Sequence, residues 1–116
     1  MDNIYFNYLK IKIYTNYKME VQLITLNKGK KKMKAIFYKD GKKVKTVPFG
    51  QAGASDYTQH GEDKRKDNYL IRHKARENWN DPMTAGALSR WILWNKKTLK
   101  ASILDYLKRF KLKLKK

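Results

Sequence analysis

Asp40-Gly41 lies between two short stretches of β-forming residues, Lys34–Tyr38 and Val44–Val47, and limits the fold more than any other feature of the sequence. An Asp-Gly connection takes positive φ readily, and the tight turn it makes suits the right-handed twist of the strands on either side. The flanking stretches therefore read as an antiparallel hairpin. Upstream, Val21–Leu26 is rich in β-branched and apolar residues and is followed by the turn-like "NKGKKK", which completes a meander of about three strands. Pro48 donates no ladder hydrogen bond, so the last strand either stops near Val47 or continues only at a sheet edge.

After the meander the punctuation changes. "FGQAGASDYTQHGED" carries Gly50, Gly53 and Gly61 among Ser, Asp and Thr, and reads as a loop joining sheet to helices. Three helices follow by periodicity. Asp63 caps the first, which runs to about Glu77 with Tyr69, Leu70 and His73 as a short apolar stripe. Asp81-Pro82 starts the second, which keeps Met83, Ala87, Leu88, Trp91, Ile92 and Trp94 near one side. Thr98 caps the third, where Leu99, Ile103, Tyr106, Leu107 and Phe110 repeat at intervals of three and four. The tail "KLKLKK" is expected to fray. The fold class is α+β, a short antiparallel meander with two to three helices packed on it, and residues 19–116 form a single basic domain. Residues 1–18 are built from Asn, Tyr, Ile and Lys; they read either as an extension before a true start at Met19 or as an extra strand, Tyr8 to Tyr14.

Charge bounds the partners. Twenty-eight Lys and Arg oppose 10 Asp and Glu, a formal +18. The excess is shared evenly by the two parts of the chain on either side of Ser55, and self-repulsion makes such an excess mildly unfavourable in isolation. An acidic partner is the natural reading. The absence of cysteine removes disulfides, thiolate zinc sites and a cysteine nucleophile. No apolar run reaches the roughly 18 residues of a membrane span, and the N-terminal segment breaks its apolar positions with Asn, Tyr and Lys, so secretion is not expected.

The three tryptophans crowd residues 79 to 94. Trp91 and Trp94 read as core, whereas Trp79, at a helix end beside Asn78, Asn80 and Asp81, reads as a surface ring that stacks on a base or anchors a partner. Tyr57 is a second candidate of that kind.

The stretch from residue 47 to 110 resembles a family of small basic proteins of unknown function encoded by nucleocytoplasmic large DNA viruses. The resemblance rests on Phe49-Gly50 with Gly53, Asp56-Tyr57-Thr58, Arg72-His73, Ala85-Gly86, Leu88-Ser89-Arg90, the "ILWN" of residues 92 to 95, and Phe110, and extends back to about Met19. It implies a viral origin and a place in the virion, the virus factory or elsewhere in the infected cell. It carries over no catalytic residue.

Catalysis is not expected from the residues themselves. His60 and His73 are the only histidines, no HxxxH, HExxH or CxxC spacing occurs, and "FGQAG" lacks the phosphate-loop pattern. Asp56, Glu62 and Asp63 suit turns and helix starts. Neither metal nor cofactor is expected. Nucleic acid, DNA or RNA, fits better. Lys30, Lys31, Lys32 and Lys34 crowd the first turn, Lys42 and Lys43 lie on the hairpin, Lys64 and Arg65 open the first helix, and Arg72 and Arg76 lie further along it. Such clusters release counterions from phosphates and give affinity without sequence readout. The rival reading is an internal virion or minor capsid protein that binds acidic viral protein surfaces with the same charges.

Overall fold

The computed structural model describes residues 19–116; the extra strand read at Tyr8 to Tyr14 lies outside the described residues. Strands β1 (Met19–Thr25), β2 (Lys31–Lys39) and β3 (Lys42–Gln51) form the antiparallel meander. Asp40 and Gly41 take φ of 51° and 80°, the left-handed pair that a two-residue hairpin needs. β3 runs through Pro48, opposite Lys34, and does so at the edge of the sheet, where the missing N–H breaks no ladder.

Alternation decides which side of the sheet is core. Val21, Met33, Ala35, Phe37, Val47 and Phe49 all point to one face and are buried. Against them pack Leu88, Ile92, Leu93 and Tyr106 from the helical half.

The helices start and stop where local hydrogen bonding permits. Asp56 caps a helical turn, α1 (Tyr57–His60), by accepting from the Thr58 N–H, while Gln59 reaches back to the Asp56 N–H. This capping box lies inside the segment expected to be loop. α2 (Asp63–Lys74) has Glu62 at its N-cap, so Asp63 is the first helical residue instead of the cap; its carboxylate accepts from the Tyr57 hydroxyl.

The second helix starts later than expected. Asp81 turns its carboxylate to the Met83 N–H at 3.0 Å, and Thr84 caps α3 (Ala85–Leu88) by accepting from the Ala87 N–H at 3.2 Å. A single π-helical turn, Ser89–Leu93, continues it. Thr98 caps α4 (Leu99–Phe110) as expected.

The tail does not fray. Lys111 turns the chain with a φ of 54°, Leu112 is buried, and β4 (Lys113–Leu114) pairs in parallel with Glu20 and Val21 of β1. Leu112 anchors what the charged sequence alone suggested was free. The result is a mixed four-stranded sheet, order β3-β2-β1-β4, with the helices on its apolar face. No helix is long and apolar enough to cross a membrane among the described residues.

Candidate nucleic-acid interface

One end of the sheet opens into a cleft of about 1160 Å³. Its walls are the start of β2 (Lys31, Lys32), the end of β3 with the loop to Asp56, and the face of α2 that carries Arg65, Asn68 and Arg72; Glu77, Ala85, Gly86, Ser89, Leu93 and Trp94 form its remaining side. Many residues that carry the family resemblance line it, among them Gly50, Gly53, Asp56, Arg72, His73 and Trp94.

Gly50 makes the bend into this cleft. Its φ is +78°, and a Cβ there would stand 2.7 Å from Leu93 Cδ1, so both conformation and packing require glycine. Gly86 is needed for space alone, since a Cβ would meet the Glu77 side chain at 2.9 Å.

The cations at the cleft divide into two kinds. Lys32 donates to Asp56 at 2.6 Å and to Gln59 at 2.8 Å, tying β2 to α1, and the carboxylate it neutralises is buried. Arg65 donates to Glu62 at 3.2 Å and to Ser55 at 3.1 Å. Lys31 and Arg72, both exposed, have no carboxylate or side-chain hydrogen-bond partner among the described residues. Their charge is available to an incoming anion.

The other anticipated cations lie elsewhere. Lys64 is exposed in the first turn of α2, and Arg76 is exposed just past its end. Lys30 precedes β2, where its carbonyl accepts from the Ala52 N–H at 2.9 Å. Lys34 lies on the sheet face away from the core. Lys42 and Lys43 are at the far end of the hairpin, about 26 Å along β2 from Lys31 at the usual strand rise. The cations thus form at least two separate groups.

Of the aromatic residues, Tyr57 differs from the surface ring expected of it. Tyr57 is buried at 6% exposure, its hydroxyl donates to Asp63, and Lys66 Nζ lies 4.9 Å from its ring centre, so it presents no face to a base. That hydrogen bond, followed by burial, raises the phenol's pKa, while the same bond, followed by the Lys97 cation, lowers that of Asp63. Trp79 is half-buried, and its indole N–H donates to Glu77 at 2.9 Å. The Trp79 carbonyl in turn accepts from the Trp91 indole at 2.8 Å.

Trp91 is half-buried beside the core and packs against two arginines: Arg90 lies 4.2 Å and Arg109 3.7 Å from its ring centre. Arg90 also lies 5.4 Å from Trp79 and donates to the Trp94 carbonyl. Burial, and then the neighbouring Arg109 cation, lower the Arg90 pKa. Trp94 stacks on Tyr69 at 4.2 Å with planes 3° apart, and Tyr69 stacks on His73. These rings hold α2 to the rest of the helical half, which explains why so basic a chain crowds them together.

Sequence reasoning missed His73 and Glu77 as a pair. His73 Nδ1 is 3.2 Å from Glu77 Oε2, at the i, i+4 spacing that was readable but unweighted. Among the described residues no group of three His, Asp or Glu side chains is arranged to hold a metal ion.

No curated protein and no solved structure matches the chain. Residues 21–73, from β1 through most of α2 and so including the Lys31 and Arg72 walls of the cleft, match the sequence model of a family described as "Family of unknown function (DUF5754)".

Proposed function

We propose that this protein binds nucleic acid non-enzymatically, through phosphates and without strong sequence preference, and that the cleft at the β2 and α2 end is its main contact. The observation that carries this reading is the pair Lys31 and Arg72, cations without a carboxylate or side-chain hydrogen-bond partner among the described residues, lining a concavity that also holds Lys32 and Arg65. A phosphate between them gains two charge-assisted contacts and releases condensed counterions. On the resemblance to proteins of large DNA viruses, we further propose that the protein is viral and acts in the virion or virus factory.

Titration of the full chain against labelled duplex DNA, single-stranded DNA and RNA at several salt concentrations tests the reading. A log-log slope equivalent to roughly four or more phosphate contacts, similar across sequences, is expected. The rival is a structural virion protein that binds acidic protein surfaces, favoured by Ile71, which stands 75% exposed on the cleft wall beside Arg72. Absence of binding to every nucleic acid even at low salt, where phosphate contacts are strongest, with a salt-resistant protein complex instead, would establish that rival.

A further inference from the structure

The return of the tail to the sheet creates a second cationic surface. β4 lies beside β1 so that Lys43, Tyr38, Glu20 and Lys113 stand in one row across four strands. Lys42 and Lys43 come from the hairpin tip and Lys113 from the tail, and all three are exposed. Lys115 hydrogen-bonds through its backbone to Val21 and sets its ammonium 4.9 Å from the Tyr38 ring centre. Among the described residues none of these lysines has a carboxylate partner.

The adjoining row, Lys45, Phe37, Val21 and Leu114, adds the exposed Lys45 to this end; the next toward the cleft, Thr46, Ile36 and Gln22, carries no charge, and Pro48, Lys34 and Ile24, two residues further along the strands, carry one. The two ends are about 26 Å apart along β2, roughly three screening lengths at physiological salt. Cations separated in this way act as independent sites, whereas a single duplex laid along the sheet would be served by a continuous stripe.

From this arrangement we infer that one copy of the chain holds two nucleic-acid segments at once, one at the cleft and one at the Lys43–Lys113 end, and so bridges them. The inference rests on the nucleic-acid reading above and adds a second site to it. It gives the C-terminal lysines a function that a frayed tail would lack, because the parallel pairing of β4 with β1 brings them to the same end of the sheet as the hairpin tip.

A bead-capture assay with the full chain tests it: one duplex is immobilised, the chain is added to saturation, and a second, labelled duplex is supplied. Size-exclusion chromatography checks that the chain is monomeric at the concentration used, and circular dichroism that each variant is folded. Capture of the labelled duplex by the wild type is expected. The triple variant Lys42→Glu, Lys43→Glu, Lys113→Glu should retain binding to a single duplex within about threefold and lose capture of the second by tenfold or more. Lys31→Glu with Arg72→Glu should weaken single-duplex binding itself. Undiminished capture by the triple variant, capture that grows as the square of protein concentration, or no capture by wild type with the first duplex saturated would each overturn the inference while leaving nucleic-acid binding intact. Failure to bind even the first duplex would overturn both.

Discussion

The sheet and the helical half carry the same kind of charge and use it in opposite ways. In the sheet Phe37 and Phe49 are fully buried, and lysines such as Lys31, Lys42 and Lys43 project from the ends of strands. In the helical half, arginines are part of the packing: Arg90 and Arg109 lie over Trp91, and Arg109 also pairs with Asp105. Guanidinium suits that role because it is planar and weakly hydrated, while a lysine ammonium is strongly hydrated and stays in water. Net charge therefore overstates the binding surface, and each cation has to be assigned by its contacts.

Substitutions can break or sharpen this contrast. The largest loss should come from Phe37→Ala, which empties the sheet core and should cost about 3 to 5 kcal/mol by chemical denaturation. Trp91→Ala should cost somewhat less, about 2 to 4 kcal/mol, because the ring is only half-buried although it loses both arginine contacts and its bond to Trp79. If Trp91→Ala leaves stability unchanged and weakens nucleic-acid binding, the packing role of these arginines is wrong. Gly50→Ala should cost about 1 to 3 kcal/mol from its positive φ and the contact with Leu93, and should also distort the cleft.

A smaller effect concerns pH. Burial pushes the Asp105 carboxyl up, but the Asn95 amide, at 2.6 Å, and Arg109 together hold it below its ordinary value of 3.8. Since the folded pKa is the lower one, the stability this carboxylate adds is complete above the ordinary value and is lost as pH falls through the folded one. Asp105→Asn should therefore flatten the acid limb of a stability-against-pH curve while lowering stability at neutral pH. The smallest stability effect, within about 0.5 kcal/mol, is expected for Lys31→Gln, an exposed side chain with no partner among the described residues.

Much of the fold was legible because its signals are local. Asp40-Gly41 specifies the hairpin, Pro48 specifies an edge, and Thr98 specifies a cap. The Asp56–Gln59 capping box was legible too, but the glycines around it made the segment read as loop. β4 was not legible: two residues have no periodicity, and their pairing depends on where α4 delivers Leu112. The cleft was legible only in part. Lys31, Lys32, Arg65 and Arg72 were chosen for charge, yet that they meet while Lys42 and Lys43 lie elsewhere follows from strand order and from the ring stack that holds α2. The π-helical turn at Ser89–Leu93 was not legible, and Trp91 and Trp94 pack against the core only half-buried.

The central claim, that the exposed cleft cations hold phosphates while stacked arginines hold the fold, is tested most directly by the salt dependence of DNA affinity in two variants. Lys31→Gln with Arg72→Gln should lower the log-log slope by nearly 2, about 0.9 per lost phosphate contact, with an unchanged melting temperature. Arg109→Gln should leave the slope as it is and lower the melting temperature. Equal slopes in the wild type and the cleft variant, or a fall in slope confined to Arg109→Gln, would contradict the account.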